Sequence, residues 1–266
     1  MHLAAKDLED LNLAVAILEH PDLVTRLTSA LGVPVEKALA ILPEAVYSSI
    51  HETSHAAIQK ALDLTLLTLN DGPTQHSSNR THQFLCGMSG AFGGFWGAPG
   101  MALELPLSTL IMLRSIGDIA RSEGEDLAVP QTKLACLEVF ALGSSGKTEE
   151  GIETGYYAVR AALAKFVLEA VRFLSKRHFI EDGGPILIKL ITKIAARFSI
   201  SVSHKLAVQA LPVLGAFGGA SVNVLFMGHF QDIARGHFTV RRLERQYGAE
   251  VIAAEYQRLH ESTLTN

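Results

Sequence analysis

Aromatic side chains make up only 7% of this 266-residue chain, and runs of Val, Ile, Thr and Tyr between turn residues are scarce. That excludes an all-β architecture, whose strands draw on those residues. No long run of Lys or Arg occurs, and 23 basic residues stand against 27 acidic ones for a formal charge of −4. Nothing in that balance draws the chain to nucleic acid. There are two cysteines, Cys86 and Cys136; neither has the paired spacing of a zinc knuckle or a redox motif, and their apolar surroundings predict buried thiols. The N-terminus lacks the basic flank and unbroken apolar stretch of a cleaved secretory signal, so the expected location is cytoplasmic, at the inner face of a membrane. Charged residues are sparse at 19%, but 48% of side chains are hydrophobic, which excludes disorder.

What is abundant is uncharged helical sequence. The mean hydropathy is +0.24, and the excess sits in two places. From Gln83 to Leu113 the only charged side chain is Glu104, and from Leu206 to His229 there is none. Each block exceeds the ~20 residues that a membrane-spanning helix needs. Two readings of them stay open. They insert into or dock on a membrane, or they are buried helices of a soluble core, since Pro99, Pro106 and Pro212 interrupt them and Gln209, Ser221 and Asn223 are polar. The closely spaced Gly87, Gly90, Gly93, Gly94, Gly97 and Gly100 suit tight helix crossings in either setting.

Elsewhere Leu42-Pro43-Glu44 opens a helix and Asn70-Asp71-Gly72-Pro73 closes it, predicting one helix over 43–70. Further helices are expected over about 1–30, 34–41, 105–123, 131–142, 152–178, 186–200, 203–211, 219–247 and 249–261. Turn-rich stretches at 70–83, 143–151 and 181–185 join them. The fold expected is all-α: one multi-helix domain over 1–266, built around two glycine-rich apolar blocks, with an N-terminal helical region over 1–80. Gly90-Ala91-Phe92-Gly93-Gly94 recurs as Gly215-Ala216-Phe217-Gly218-Gly219. Met112 then precedes Asp118-Ile119-Ala120-Arg121, as Met227 precedes Asp232-Ile233-Ala234-Arg235. The repeat reads either as an internal duplication with a pseudo-twofold axis or as small residues serving close helix contact.

The stretch SGAFGGFWGAPGMALELPLSTLIMLRSIGDIARSEGEDL, with its acidic-Leu-Pro step, resembles the signature of the EcsC protein family. LPVLGAFGGASVNVLFMGHFQDIARGHFTVRRLERQYG resembles the C-terminal glycine-rich segment of that family, and CLEVFALG and GYYAVRAALA between them agree. The likeness covers residues 84–248. It implies a helical, membrane-associated protein linked to transport or secretion, with no agreed biochemical activity. By resemblance the positions to watch are Glu104, Pro106, Arg114, Asn223, His229 and Asp232.

One spacing names a reaction. His51-Glu52-Thr53-Ser54-His55 is an H-E-x-x-H on the helix expected over 43–70. Histidines four apart project to one helix face, so both can reach one zinc ion while Glu52 acts as general base on its bound water. On a helical wheel His51 and His55 fall with Ile58, Leu62 and Leu66, which points them inward; Glu52 borders the polar arc. Two helical histidines bonded to neighbouring loops are the plainer reading. A third ligand has to come from afar, and Glu104, alone in its apolar block, is the first candidate; it meets either a metal or a cation such as Arg114. His229 and Asp232, three apart, could share a face and hold a metal or a water. Ser89-Gly90 and Ser144-Ser145-Gly146-Lys147 lack the spacing of a nucleophile elbow or phosphate loop, and no strand precedes Gly93-Gly94 for a dinucleotide site. Arg235, Arg241, Arg242 and Arg245, with Phe238 and Val240, read as a cationic helix edge for anionic headgroups or as a solvated face.

Three functions follow as expectations. The first is a membrane-associated accessory protein, peripheral or partly inserted, whose partner is a membrane surface or a membrane protein, itself open to homo-oligomerisation. The second is a zinc-dependent hydrolase or peptidase using His51, Glu52 and His55, and the third is a carrier of an apolar ligand.

Overall fold

The computed structural model describes residues 3–19, 23–32, 35–40, 44–68, 98–144, 155–176, 184–209 and 215–264. The described residues are helical almost throughout: α1 (Ala5–Glu19), α2 (Leu23–Leu31), α3 (Val35–Leu39), α4 (Glu44–Thr68), α5 (Ala98–Ser122), α6 (Pro130–Leu142), α7 (Tyr156–Lys176), α8 (Pro185–Gln209), α9 (Gly215–Tyr247) and α10 (Ala249–Leu264). No strand occurs among them, so the all-α expectation holds.

The arrangement is set by α6. Every residue from Thr132 to Leu142 is buried, as befits a helix that is apolar nearly all round. Pro130 supplies a preset first turn at its start. Around it pack α4, α5, α7, α8 and α9, while α1 and α10 lie against α9. Phe140 of α6 forms an aromatic cluster with Phe198 of α8 and Phe230 of α9, at ring separations of 5.0 and 5.5 Å. At Gly143, just past α6, a β-carbon would lie 2.5 Å from the Phe230 ring, so only glycine lets α6 end against that cluster. The free Cys136 is buried in the same helix and its thiol is pushed up to about 12 by that burial, as expected for an inert core thiol. Cys86 lies outside the described residues.

Element ends follow local chemistry. Gly124 takes φ +78, and Glu125 N–H donates to the Ala120 carbonyl at 3.0 Å while Gly124 N–H donates to Arg121. That pair of bonds closes α5 as a Schellman motif. Three boundaries depart from the sequence expectation. The helix expected over 1–30 is two, α1 and α2, parted by a stretch containing Pro21, which has no N–H to give a helix. The helices expected over 186–200 and 203–211 are one, α8. Its serines are accommodated within the helix, where Ser199 and Ser203 donate to the Ala196 and Ser199 carbonyls at 2.7 and 2.8 Å. Finally, α5 starts seven residues before 105 and runs through Pro106, where Ser108 and Thr109 hydroxyls both donate to the Leu105 carbonyl.

Candidate functional site

Glu104 is where the helices of the two apolar blocks meet. Carried inward by α5, its Oε1 accepts from Lys205 Nζ of α8 at 2.7 Å and from Asn223 Nδ2 of α9 at 2.8 Å. The pair is sealed from solvent, with side-chain exposures of 1% for Lys205 and 5% for Glu104. The ammonium also sits 5.0 Å from the centre of the Phe226 ring, a cation–π contact that replaces part of its lost hydration. A carboxylate so deeply desolvated persists only with a cation and hydrogen bonds on it. Glu104 and Asn223 are thus brought together as two of the expected positions. Arg114 does not join them. It lies ten residues along the same helix, about 15 Å at 1.5 Å per residue, and is exposed, so the cation had to come from another helix. Pro106 is half-buried two residues beyond Glu104 on the same helix.

The H-E-x-x-H segment does lie on a helix, α4, but not with both imidazoles inward. The buried stripe of α4 is Ile50, Ser54, Ala57, Ile58, Ala61 and Leu62, centred on small residues that let α5 and α8 approach closely. His51 and Glu52 are exposed and His55 is half-buried on the flank, where its Nε2 is 3.4 Å from Thr192 Oγ1 of α8. Among the described residues no three His, Cys, Asp or Glu side chains gather as a metal site, and Glu104 is engaged by Lys205 and Asn223. Elemental analysis of untagged protein tests the zinc reading: one equivalent that disappears in His51→Ala and stays in Glu52→Gln would support the hydrolase, and protein free of zinc after zinc is offered would leave His51 and His55 without a metal role.

His229 and Asp232 face different partners. His229 Nε2 donates to the Gly143 carbonyl at 2.6 Å, so its ring caps the C-terminus of α6. Ser201 Oγ donates to the same carbonyl at 3.1 Å, and Arg197 Nε donates to the Ala141 carbonyl at 2.9 Å. Together α8 and α9 satisfy carbonyls that the helix end leaves without an intrahelical donor. Asp232 instead accepts from Arg26 of α2 at 2.7 Å and from Arg235 at 2.5 Å. Asp118 and Arg121, its counterparts in the repeated motif, pair likewise at 3.0 Å on α5. The first glycine copy, 90–94, lies outside the described residues.

The four-arginine cluster is largely spent on internal carboxylates. Arg241 binds Glu125 at 2.8 Å and Arg245 binds the same carboxylate. Although burial pushes Glu125 up, Arg241 and Arg245 hold it below the usual carboxylate range. Arg242 bridges Asp7, Asp10 and Glu123 at 3.1, 2.7 and 2.8 Å. Phe238 and Val240 are buried. What reads in sequence as a cationic edge thus straps α9 to α1 and to the loop after α5.

A second polar cluster, not foreseen from the sequence, fills the space between α6, α7 and α9. Arg160 donates to both Glu244 oxygens, at 2.7 and 3.1 Å, and its NH1 also donates to Tyr156 Oη at 3.1 Å. The Tyr156 hydroxyl and His237 Nδ1 are hydrogen-bonded in turn, 3.0 Å apart. The other ring nitrogen, Nε2, is buried without a hydrogen-bond partner among the described residues. Burial, with Arg160 and Arg241 nearby, holds His237 well below its ordinary value. Burial likewise pushes the Glu138 carboxyl up. The signal present in the sequence was the i, i+4 pair Tyr156 and Arg160, but their partners stand on another helix far along the chain.

The model of the EcsC protein family matches residues 18–243 of the chain. No curated protein and no solved structure matches it.

Proposed function

Since the chain belongs to the EcsC protein family, we propose that it is a helical accessory protein working at a membrane surface, held there peripherally. Among the described residues no helix is long and apolar enough to cross a membrane. One observation carries the reading: large apolar side chains are left on the outside of helices that pack together. Leu107 of α5 is 51% exposed and Val224 of α9 37%; Leu168 of α7 is 51% exposed and Ile188 of α8 50%. An isolated surface leucine needs no explanation, but apolar side chains on adjoining helices favour contact with a partner or a bilayer.

Fractionation of cells tests this. The protein is expected in the membrane pellet at low salt and in the supernatant after a carbonate wash. Recovery wholly in the soluble fraction at low salt sinks the membrane role, and retention after carbonate would mean insertion in place of docking.

A further inference from the structure

Charge in this protein is segregated. Residues 156–209 contain nine Lys and Arg against three Asp and Glu, although the whole chain carries −4. Three of those cations are turned inward: Arg160 to Glu244, Lys205 to Glu104, and Arg197 to the end of α6. Four others, Lys165 and Arg172 on α7 and Lys189 and Lys193 on α8, are exposed. Among the described residues no ion pair holds any of these four.

Their spacing makes two stripes. On α7 the exposed positions Ala161, Lys165, Leu168, Arg172 and Ser175 recur at alternating steps of four and three, which is one face of a helix. On α8 the exposed positions after Pro185 are Ile188, Lys189, Thr192, Lys193 and Ala196, again on one face. The two helices pack side by side. The one acid described on either helix, Glu169, is half-buried. On α7 Leu168 therefore sits between Lys165 and Arg172, and on α8 Ile188 precedes Lys189 and Lys193 at the edge of the same face, with small residues completing each stripe.

We propose that the outer faces of α7 and α8 are the docking surface of this protein and that their partner is a bilayer containing anionic lipid. This rests on the membrane reading above and names the lipid chemistry for it. The ammonium and guanidinium groups reach phosphate and carboxylate headgroups on long flexible stems, while Leu168 and Ile188 enter the acyl boundary. Charge complementarity selects this face over that of Leu107 and Val224, where the cation close in sequence is Arg114 alone. It also selects it over the arginines of α9, which carboxylates of the chain already neutralise.

The test is co-sedimentation of the full chain with vesicles of phosphatidylcholine alone and of phosphatidylcholine with phosphatidylserine. Binding to the anionic vesicles is expected, weakening as salt rises. Lys165→Glu/Lys189→Glu should weaken it about tenfold or more, and Leu168→Asp/Ile188→Asp should also weaken it. Lys6→Glu/Lys60→Glu, an equal double charge reversal at exposed positions of α1 and α4, should leave it intact. These surface variants are checked for unchanged helical content and melting. Binding that is equal for both vesicles, or indifferent to the α7 and α8 variants, overturns this surface and leaves the membrane role standing. Failure to bind either vesicle, with the protein still pelleting with cell membranes, overturns the lipid as partner. Failure to bind together with a soluble distribution in cells overturns both.

Discussion

Lys205→Ala is expected to cost about 3–5 kcal/mol of folding stability, among the largest effects of any single substitution in the chain. The ammonium itself is not the loss that matters most. Its removal leaves the Glu104 carboxylate buried with only the Asn223 amide on it, 2.8 Å away, and such a group must either take up a proton or draw in water. Glu104→Gln should be milder than Lys205→Ala at neutral pH, because Gln keeps an oxygen for Asn223 but leaves the Lys205 charge without its counter-ion. Replacing both ends, as Glu104→Leu with Lys205→Met, should recover much of the loss, since two apolar side chains of similar volume remove the desolvation penalty with the charges. Denaturant melts followed by circular dichroism decide it. A Lys205→Ala variant within 1 kcal/mol of the parent, on the order of an exposed pair's contribution, would mean that Glu104 and Lys205 do not meet in a dry interior.

Stability should also fall with acid in a way that Glu138 masks. His237 is buried and held well below 6.5, so between its folded value and 6.5 the unfolded chain binds a proton that the native protein refuses. Stability is then present above pH 6.5 and lost as pH falls, at up to about 1.4 kcal/mol per pH unit for one proton. Glu138 has the opposite sign. Its carboxyl is raised above 4.5 by burial, so the native state holds that proton more tightly than the unfolded chain; its contribution is present below pH 4.5 and lost as pH rises through the raised value. The two windows overlap on the acid side of neutrality and oppose each other there. Glu138→Gln, which removes one arm, is expected to steepen the acid loss below pH 6.5 relative to the parent. His237→Gln, whose side-chain oxygen can still accept from Tyr156, is expected to abolish it and to leave the opposite slope of Glu138. Urea melts at several pH values read both slopes, and a Glu138→Gln profile parallel to the parent's would show that Glu138 does not take up its proton on folding.

Much of the architecture was legible because it rests on local chemistry. Helix ends fall at Pro130, Gly124 and Gly248, and the all-α class follows from composition and the lack of strand-forming runs. Burial of Cys136 and isolation of Glu104 from other charges were equally plain. The outward placement of His51 and the flank position of His55 were not, because hydropathy weights large side chains. The face that α4 buries is centred on Ser54, Ala57 and Ala61, whose value is their small size beside α5 and α8. Arg114 looked like the partner of Glu104 only because it is near in sequence, whereas ten residues of helix carry it about 15 Å away.

By itself the sequence determined the class of fold, the helix punctuation, the shortage of charge in two blocks and the need of Glu104 for a partner, since each depends on neighbours within a few residues or on composition alone. Only the tertiary structure decided which partner each charge takes: Lys205 for Glu104, Glu244 for Arg160, Gly143 for His229, and Asp7, Asp10, Glu123 and Glu125 for the arginines of α9. Those pairings join helices distant in the chain, and ion pairing acts over a few ångströms of space, which sequence separation does not measure. The same packing left Lys165, Arg172, Lys189 and Lys193 on the outside, in no ion pair with the carboxylates of the described residues.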